Sequence, residues 1–178
     1  MVALLRRPVV WAGLAGLAVV AAVALAVFQP WLLFVDETVN DGDPAAAAPA
    51  TPGDGGRSPQ GPQVLAGGSF ISHEHRTSGT VKVLRLADGA RILRIEDLDT
   101  SNGPDLWVRL SDQPVKEGPG GWFVFDDGAY VELGRLKGNK GSQNYRIPAD
   151  ADLSRLTSVT IWCKRFHVSF GAAALRAA

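Results

Sequence analysis

The sequence predicts an all-β domain, an antiparallel β-sandwich or barrel-like fold, carried behind a single long apolar helix and a linker. Two observations lead there. From Val9 to Val35 the chain has no charged side chain, a run longer than the roughly 20 apolar residues needed to cross a hydrocarbon core. From Gly67 onward, short alternating runs are broken by Gly, Asn, Asp and Pro, and none keeps a helical period with caps at both ends.

Residues 1–8 read as a cytoplasmic end and residues 9–35 as a transmembrane anchor. Arg6 and Arg7 precede the span and acids follow it, which keeps the N-terminus inside and places the rest outside, in a single-pass arrangement in the cell membrane. Trp31 suits the outer interface. Ala24-Leu25-Ala26 resembles a signal cleavage triplet, but a secretory signal has a shorter apolar core, and cleavage there would leave FQPWLLFV opening a soluble chain. The twin arginine reads as the inside anchor rather than an export signal.

Residues 36–66 form the linker. They carry Asp36, Glu37, Asp41, Asp43 and Asp54 against Arg57 alone, among Pro, Gly and Ala. Such a stretch buries too little surface to offset its ordering entropy and reads as a disordered tether.

The folded domain is predicted over residues 67–178, nearly neutral at 15 Lys+Arg against 13 Asp+Glu, and large enough for one core. GTVKVLRL, ARILRIEDL, DLWVRLS, YVELGRL and SVTIWCKRF have strand length and β-branched or aromatic content. Turn signals separate them: ADG at 87–89, NGP at 102–104, DDG at 126–128 and KGNKG at 137–141. In DLWVRLS, Leu106, Val108 and Leu110 share one face and Asp105, Trp107 and Arg109 the other. A helical turn near ADADLSRL and helix in the closing GAAALRAA are the expected exceptions to β structure.

Formal net charge is zero, so bulk electrostatics makes no case for nucleic acid. GxSxG, P-loop, dinucleotide, HExxH and Cys-rich zinc patterns do not occur, and no pattern names a cofactor. In SVTIWCKRFHVSF, Val159, Ile161 and Cys163 share one parity, while Phe166, Val168 and Phe170 share the other. A bulge or tight turn at Lys164-Arg165 accounts for the switch. Cys163, the single cysteine, is either a small buried hydrophobe or a redox thiol whose thiolate Lys164 and Arg165 stabilise.

His73 and His75 project from one face of an extended strand, and with His167 and Cys163 they make a conceivable His/Cys metal set. An exposed histidine pair is the simpler reading. Glu96, Asp97, Asp99, Asn102 and Asp105 could hold calcium, although Asx-rich turns look alike without metal.

The ordered blocks GSF at 68–70, H…SGT at 75–80, DLDTSNGPDLWVRL at 97–110, LGRLKGNKGSQNY at 133–145 and SVTIWCKRFHVSFGAAAL at 158–175 together resemble the electron-transfer DM domain family, the DM-thirteen domain, in a membrane-anchored arrangement of actinobacterial type. The resemblance covers all of the predicted folded part. It implies an extracytoplasmic β-sandwich-like module with a redox role centred on the family cysteine, which corresponds to Cys163. It also marks Asn102, Gly103, Pro104 and Asp105, and Lys137, Gly138, Asn139, Gln143, Asn144 and Tyr145. Of these, Asn102, Asp105, Lys137, Asn139, Gln143, Asn144 and Tyr145 are candidates to bind a ligand or a cell-envelope partner. Two functions are thus expected: a redox module acting on an envelope partner, or a non-enzymatic binding module with a structural cysteine. The bilayer is the other expected partner, through the helix.

Overall fold

A computed structural model of the protein describes residues 8–44 and 62–178. Arg6, Arg7 and the Pro/Gly/Ala stretch at 45–61 lie outside the described residues. Proline at the first helical position is compatible with helix entry, and α1 runs Pro8–Phe28. Its 21 residues span about 31 Å at 1.5 Å per residue, enough to cross a membrane by length and composition. Its side chains are exposed to the surroundings. Gln29, in the left-handed region at φ 45°, ends it, and a 3-10 turn follows over Pro30–Phe34.

Among the described residues ten strands follow: β1 Thr38–Asn40, β2 Gln63–Ser72, β3 Ser78–Arg85, β4 Arg91–Asp99, β5 Leu106–Ser111, β6 Tyr130–Arg135, β7 Lys140–Ile147, β8 Ser158–Cys163, β9 Val168–Ala174 and β10 Arg176–Ala177. They make one curled, half-barrel sheet in the order β1-β7-β4-β3-β2-β9-β8-β5-β6, with β10 beside β2. Strand β2 is the bend. Its first part pairs with β3, and Phe70, Ile71 and Ser72 pair with Ala173, Ala172 and Gly171 of β9. All pairs are antiparallel except β1–β7.

The concave side encloses the main core, where Leu93, Ile95, Val108, Leu110, Val159, Ile161 and Cys163 are fully buried. A second cluster lies on the convex side. There the 112–129 connection folds back over β8 and β9, and Phe125 packs edge-on against Trp162 at 6.3 Å beside Ala172. Strand β8 is therefore buried on both faces, which the alternation of its residues did not foretell.

The predicted β class holds, and the five quoted runs contain β3, β4, β5, β6 and β8. Four details differ. The ends of the predicted linker are structured: Thr38–Asn40 pairs with β7, and β2 begins at Gln63, because backbone pairing at a sheet edge needs no apolar side chains. The closing GAAALRAA is strand rather than helix, since Gly171–Ala174 lie between β2 and β8, where only small side chains fit. KGSQNYRI, absent from the predicted strands, is β7, which starts inside the KGNKG turn signal. The parity switch after Cys163 is a four-residue hairpin turn, leaving Phe166 on the surface rather than in the apolar row. ADADLSRL does make one turn, closed by Leu156 N–H to Asp152 O.

Candidate functional site

The turn between β8 and β9, Lys164 to His167, is closed with His167 at φ 51°. It leaves Cys163 as the last residue of β8, paired to Leu106 on one side and Val168 on the other. Its thiol is fully buried. Burial pushes its pKa up, and the backbone of Phe166 and Arg165 in the following turn offsets part of that rise. The neighbouring cations are engaged elsewhere. Lys164 Nζ binds Glu132 at 3.1 Å and lies over the Trp107 ring, while Arg165 Nη1 donates to Val27 O at 2.8 Å, at the end of α1. The local positive potential around the thiol thus comes from the turn backbone and not from the two side chains.

Val168 is also part of the wall of a cavity of about 210 Å³. The domain contributes Glu74, His75, Asn102, Gly103, Pro104, Phe166 and Phe170, and the end of α1 and its 3-10 turn contribute Phe28, Gln29, Leu32 and Leu33. His75 lies on the Phe170 ring, 3.8 Å between centroids, and pairs with Glu74 at 2.6 Å. Burial lowers the His75 pKa, which Glu74 partly offsets. Phe28 stacks on Phe166 at 5.5 Å. The cavity is mostly apolar, has a few polar groups on its rim, and lies where a helix meets a domain, a common setting for a small-molecule site.

The second candidate group, the 137–145 block, grips the chain's own residues 36–42. Asn139 donates to Asp36 Oδ1 at 2.8 Å and accepts from Glu37 N–H at 2.7 Å. Lys137 Nζ reaches Asp41 at 2.6 Å, and Asn144 N–H donates to the same carboxylate at 2.8 Å. These contacts hold the Asp41 pKa below the usual carboxylate range, the Lys137 hydrogen bond most strongly. Gln143 and Tyr145 turn inward. Tyr145 Oη donates to Gln143 Oε1 at 2.7 Å, and Gln143 Nε2 donates to Gly138 O at 2.6 Å. Burial pushes the Tyr145 pKa up to about 12.

Residues 69–175 match the family described as Electron transfer DM13. The match spans more than half of the chain. The chain belongs to this family. No curated protein and no solved structure matches it.

The DM13 match contains Cys163, the Asn102–Gly103–Pro104 rim of the cavity and the whole 137–145 clasp, but neither the helix end that walls the cavity nor the strand that fills the clasp. Within the DM13 domain, Asn102 caps its own turn through Gly103 N–H at 2.8 Å, and Asp105 accepts from Trp107 Nε1 at 2.8 Å. Gly103 underlies the cavity because a β-carbon there would press on Phe170 and Leu106.

The metal candidates do not converge. His73 accepts at Nδ1 from Ser169 Oγ (2.8 Å) and donates from Nε2 to Lys116 O (3.1 Å), a neutral tautomer that burial favours. His167 pairs with Asp126 on the surface. Among the described residues no group of three or more His, Cys, Asp or Glu is placed to hold a metal ion. In the acidic stretch, Glu96 meets Lys82 and Arg94, and Asp99 meets Lys140. Sequence reasoning missed Glu132, which joins Arg109 and Lys164, and Phe125, whose signal was the aromatic run WFVF at 122–125 in a turn-rich segment. It also missed the helix residues that wall the cavity, which no periodicity could have assigned to a site in the distant domain.

Proposed function

We propose that the protein is a membrane-tethered, extracytoplasmic electron-transfer module whose exchanging group is the Cys163 thiol. The observation that carries the reading is the thiol's position: at the end of β8, paired in register with Val168, a wall residue of the helix–domain cavity, and next to the turn whose Arg165 and Phe166 backbone favours the thiolate. A buried thiol with a raised pKa is unreactive at rest. Opening of the cavity would bring water and a partner to the sulfur, and the turn backbone would then stabilise the thiolate as it forms. The step is thiol–disulfide exchange with an envelope partner. The Cys163 thiolate attacks one sulfur of a partner disulfide, a new S–S bond forms as the old one breaks, and the released partner thiolate takes up the proton that Cys163 gave up.

The test is alkylation of Cys163 in the folded, detergent-solubilised chain, together with trapping of a mixed disulfide on reaction with a disulfide-bearing partner. Slow alkylation that rises with pH, and a trapped adduct absent from Cys163→Ser, are expected. Alkylation seen only after denaturation would sink the exchange reading. The complete burial of Cys163 favours a second reading, a non-enzymatic binding module in which the cysteine packs and the cavity rim at Asn102, with Asp105 next along the chain, meets a partner. On that reading Cys163→Ser keeps function in cells and Asn102→Ala loses it.

A further inference from the structure

The 137–145 block is built as a receptor. Strand β1 lies parallel along β7 in the register Thr38–Lys140, Val39–Gly141, Asn40–Ser142, and the ladder extends through Lys140 N–H to Glu37 O and Asp41 N–H to Ser142 O. The acceptor edge is shaped for close backbone approach. Gly141 sits at φ 93°, where a β-carbon would collide with Val39 O, and at Gly138 one would collide with Glu37 O. Around this edge stand Lys137, Lys140 and Arg94, which meet Asp41, Asp36 and the carbonyls of Asp41 and Gly42. Asn139, almost fully buried, holds Asp36, Glu37 and Thr100 O together. A sheet edge with fitted glycines and surrounding cations is the hardware of strand addition, in which main-chain pairing supplies affinity and side-chain pockets supply selectivity.

The occupant is continuous with the cavity wall. Asp36 follows Val35, the residue next to the 3-10 turn whose Leu32 and Leu33 line the same cavity as His75. Apart from the strand, the polar ties from this wall to the domain include Arg165 to Ala26 O and Val27 O, and Asn102 to Val35 O at 3.4 Å, with the Phe28–Phe166 stack beside them. These are exposed and individually weak.

We propose that the β7 edge with the Lys137–Asn144 loop is a strand-acceptor site for an extended acidic segment, filled in cis by residues 36–42, and that this docking holds in place the wall of the cavity lined by Val168, the strand partner of Cys163. A partner that offers an acidic extended strand, with carboxylates spaced as Asp36 and Asp41 are, competes for the edge, frees the wall and opens the route to the thiol. The purpose of the device rests on Cys163 being the exchanging thiol; the device itself does not.

The experiment uses the full chain in detergent micelles. Hydrogen exchange reads the amides of Val39 to Asp41, alkylation reads Cys163, and near-ultraviolet circular dichroism confirms that the domain stays folded. Lys137→Glu and, separately, Asn139→Ala should remove amide protection at 39–41 and speed alkylation at least about tenfold, the signature of a local opening made easier. A synthetic peptide of residues 36–43 added to the Asp41→Lys chain, whose own strand is weakened while the acceptor is intact, should bind and restore protection to β7. It should not bind when Lys137→Glu is also present, nor should a scrambled peptide bind. Retained protection at 39–41 in both acceptor variants, or no peptide binding to the Asp41→Lys chain, overturns the acceptor site. Lost protection with unchanged alkylation overturns the closure. If protection and alkylation respond as stated but Cys163→Ser still transfers electrons, the device stands and the redox reading fails.

Discussion

At the residue scale, Cys163 and Gly141 carry the most consequence. Cys163→Ser should fold, because Arg165 and Phe166 N–H can donate to the new hydroxyl, at a cost of about 1 kcal/mol for a polar atom in an apolar cluster. Urea unfolding of the variant checks this. Gly141 shows the opposite behaviour. A side chain there would need a positive φ of 93° and would strike Val39 O, so Gly141→Val should destabilise the clasp by about 1–3 kcal/mol, seen as lost protection of the β1 amides. The charge logic of the thiol also changes at this scale. Two adjacent cations suggested thiolate stabilisation, but both lie in the turn after β8, where Lys164 went to Glu132 and Arg165 went to the helix end.

At the scale of elements, the 112–129 connection determines how β8 is buried. It is pinned by Ser169 N–H to Trp122 O, Ser158 Oγ to Gln113 O, and His73 to Lys116 O, and its apolar contact is Phe125 on Trp162. Phe125→Ala should cost about 3–5 kcal/mol, measured by denaturant midpoint, and should expose Trp162 to solvent with a red-shifted emission. Five runs were legible as strands because alternation and turn residues bounded them. Strand β7 was not legible, because Gln143 and Asn144 are polar and serve the clasp, which alternation cannot report. Strand β1 was not legible for a related reason: three residues paired at an edge carry no pattern of their own.

At the scale of the whole molecule, pH should act through two sets of groups. His73 and His75 are held below their ordinary value by burial, so the unfolded chain binds their protons first as pH falls. Their contribution to stability is complete above about pH 6.5 and is lost as pH drops below it. Asp36, Asp41 and Glu96 are depressed by hydrogen bonds to Asn139, Lys137 and Lys82 respectively. Their contribution is present above the ordinary carboxylate range, about pH 4, and fades as pH falls through the folded values. Melting temperature should therefore decline from about pH 6.5 downward and again below about pH 4, and His73→Gln should flatten the first decline.

The amino-acid order alone determined the β class, the apolar helix, most strand positions, the family and the singular place of Cys163, because these follow from local alternation, turn chemistry, composition and ordered motifs. Only the tertiary structure decided what those residues face. It buried the thiol completely, turned its neighbouring cations away, set the helix end in one cavity wall with His75, and filled the candidate binding loop with residues 36–42. Each of those outcomes depends on contacts between segments far apart in the chain, where strand pairing and packing, rather than local preference, choose the partner.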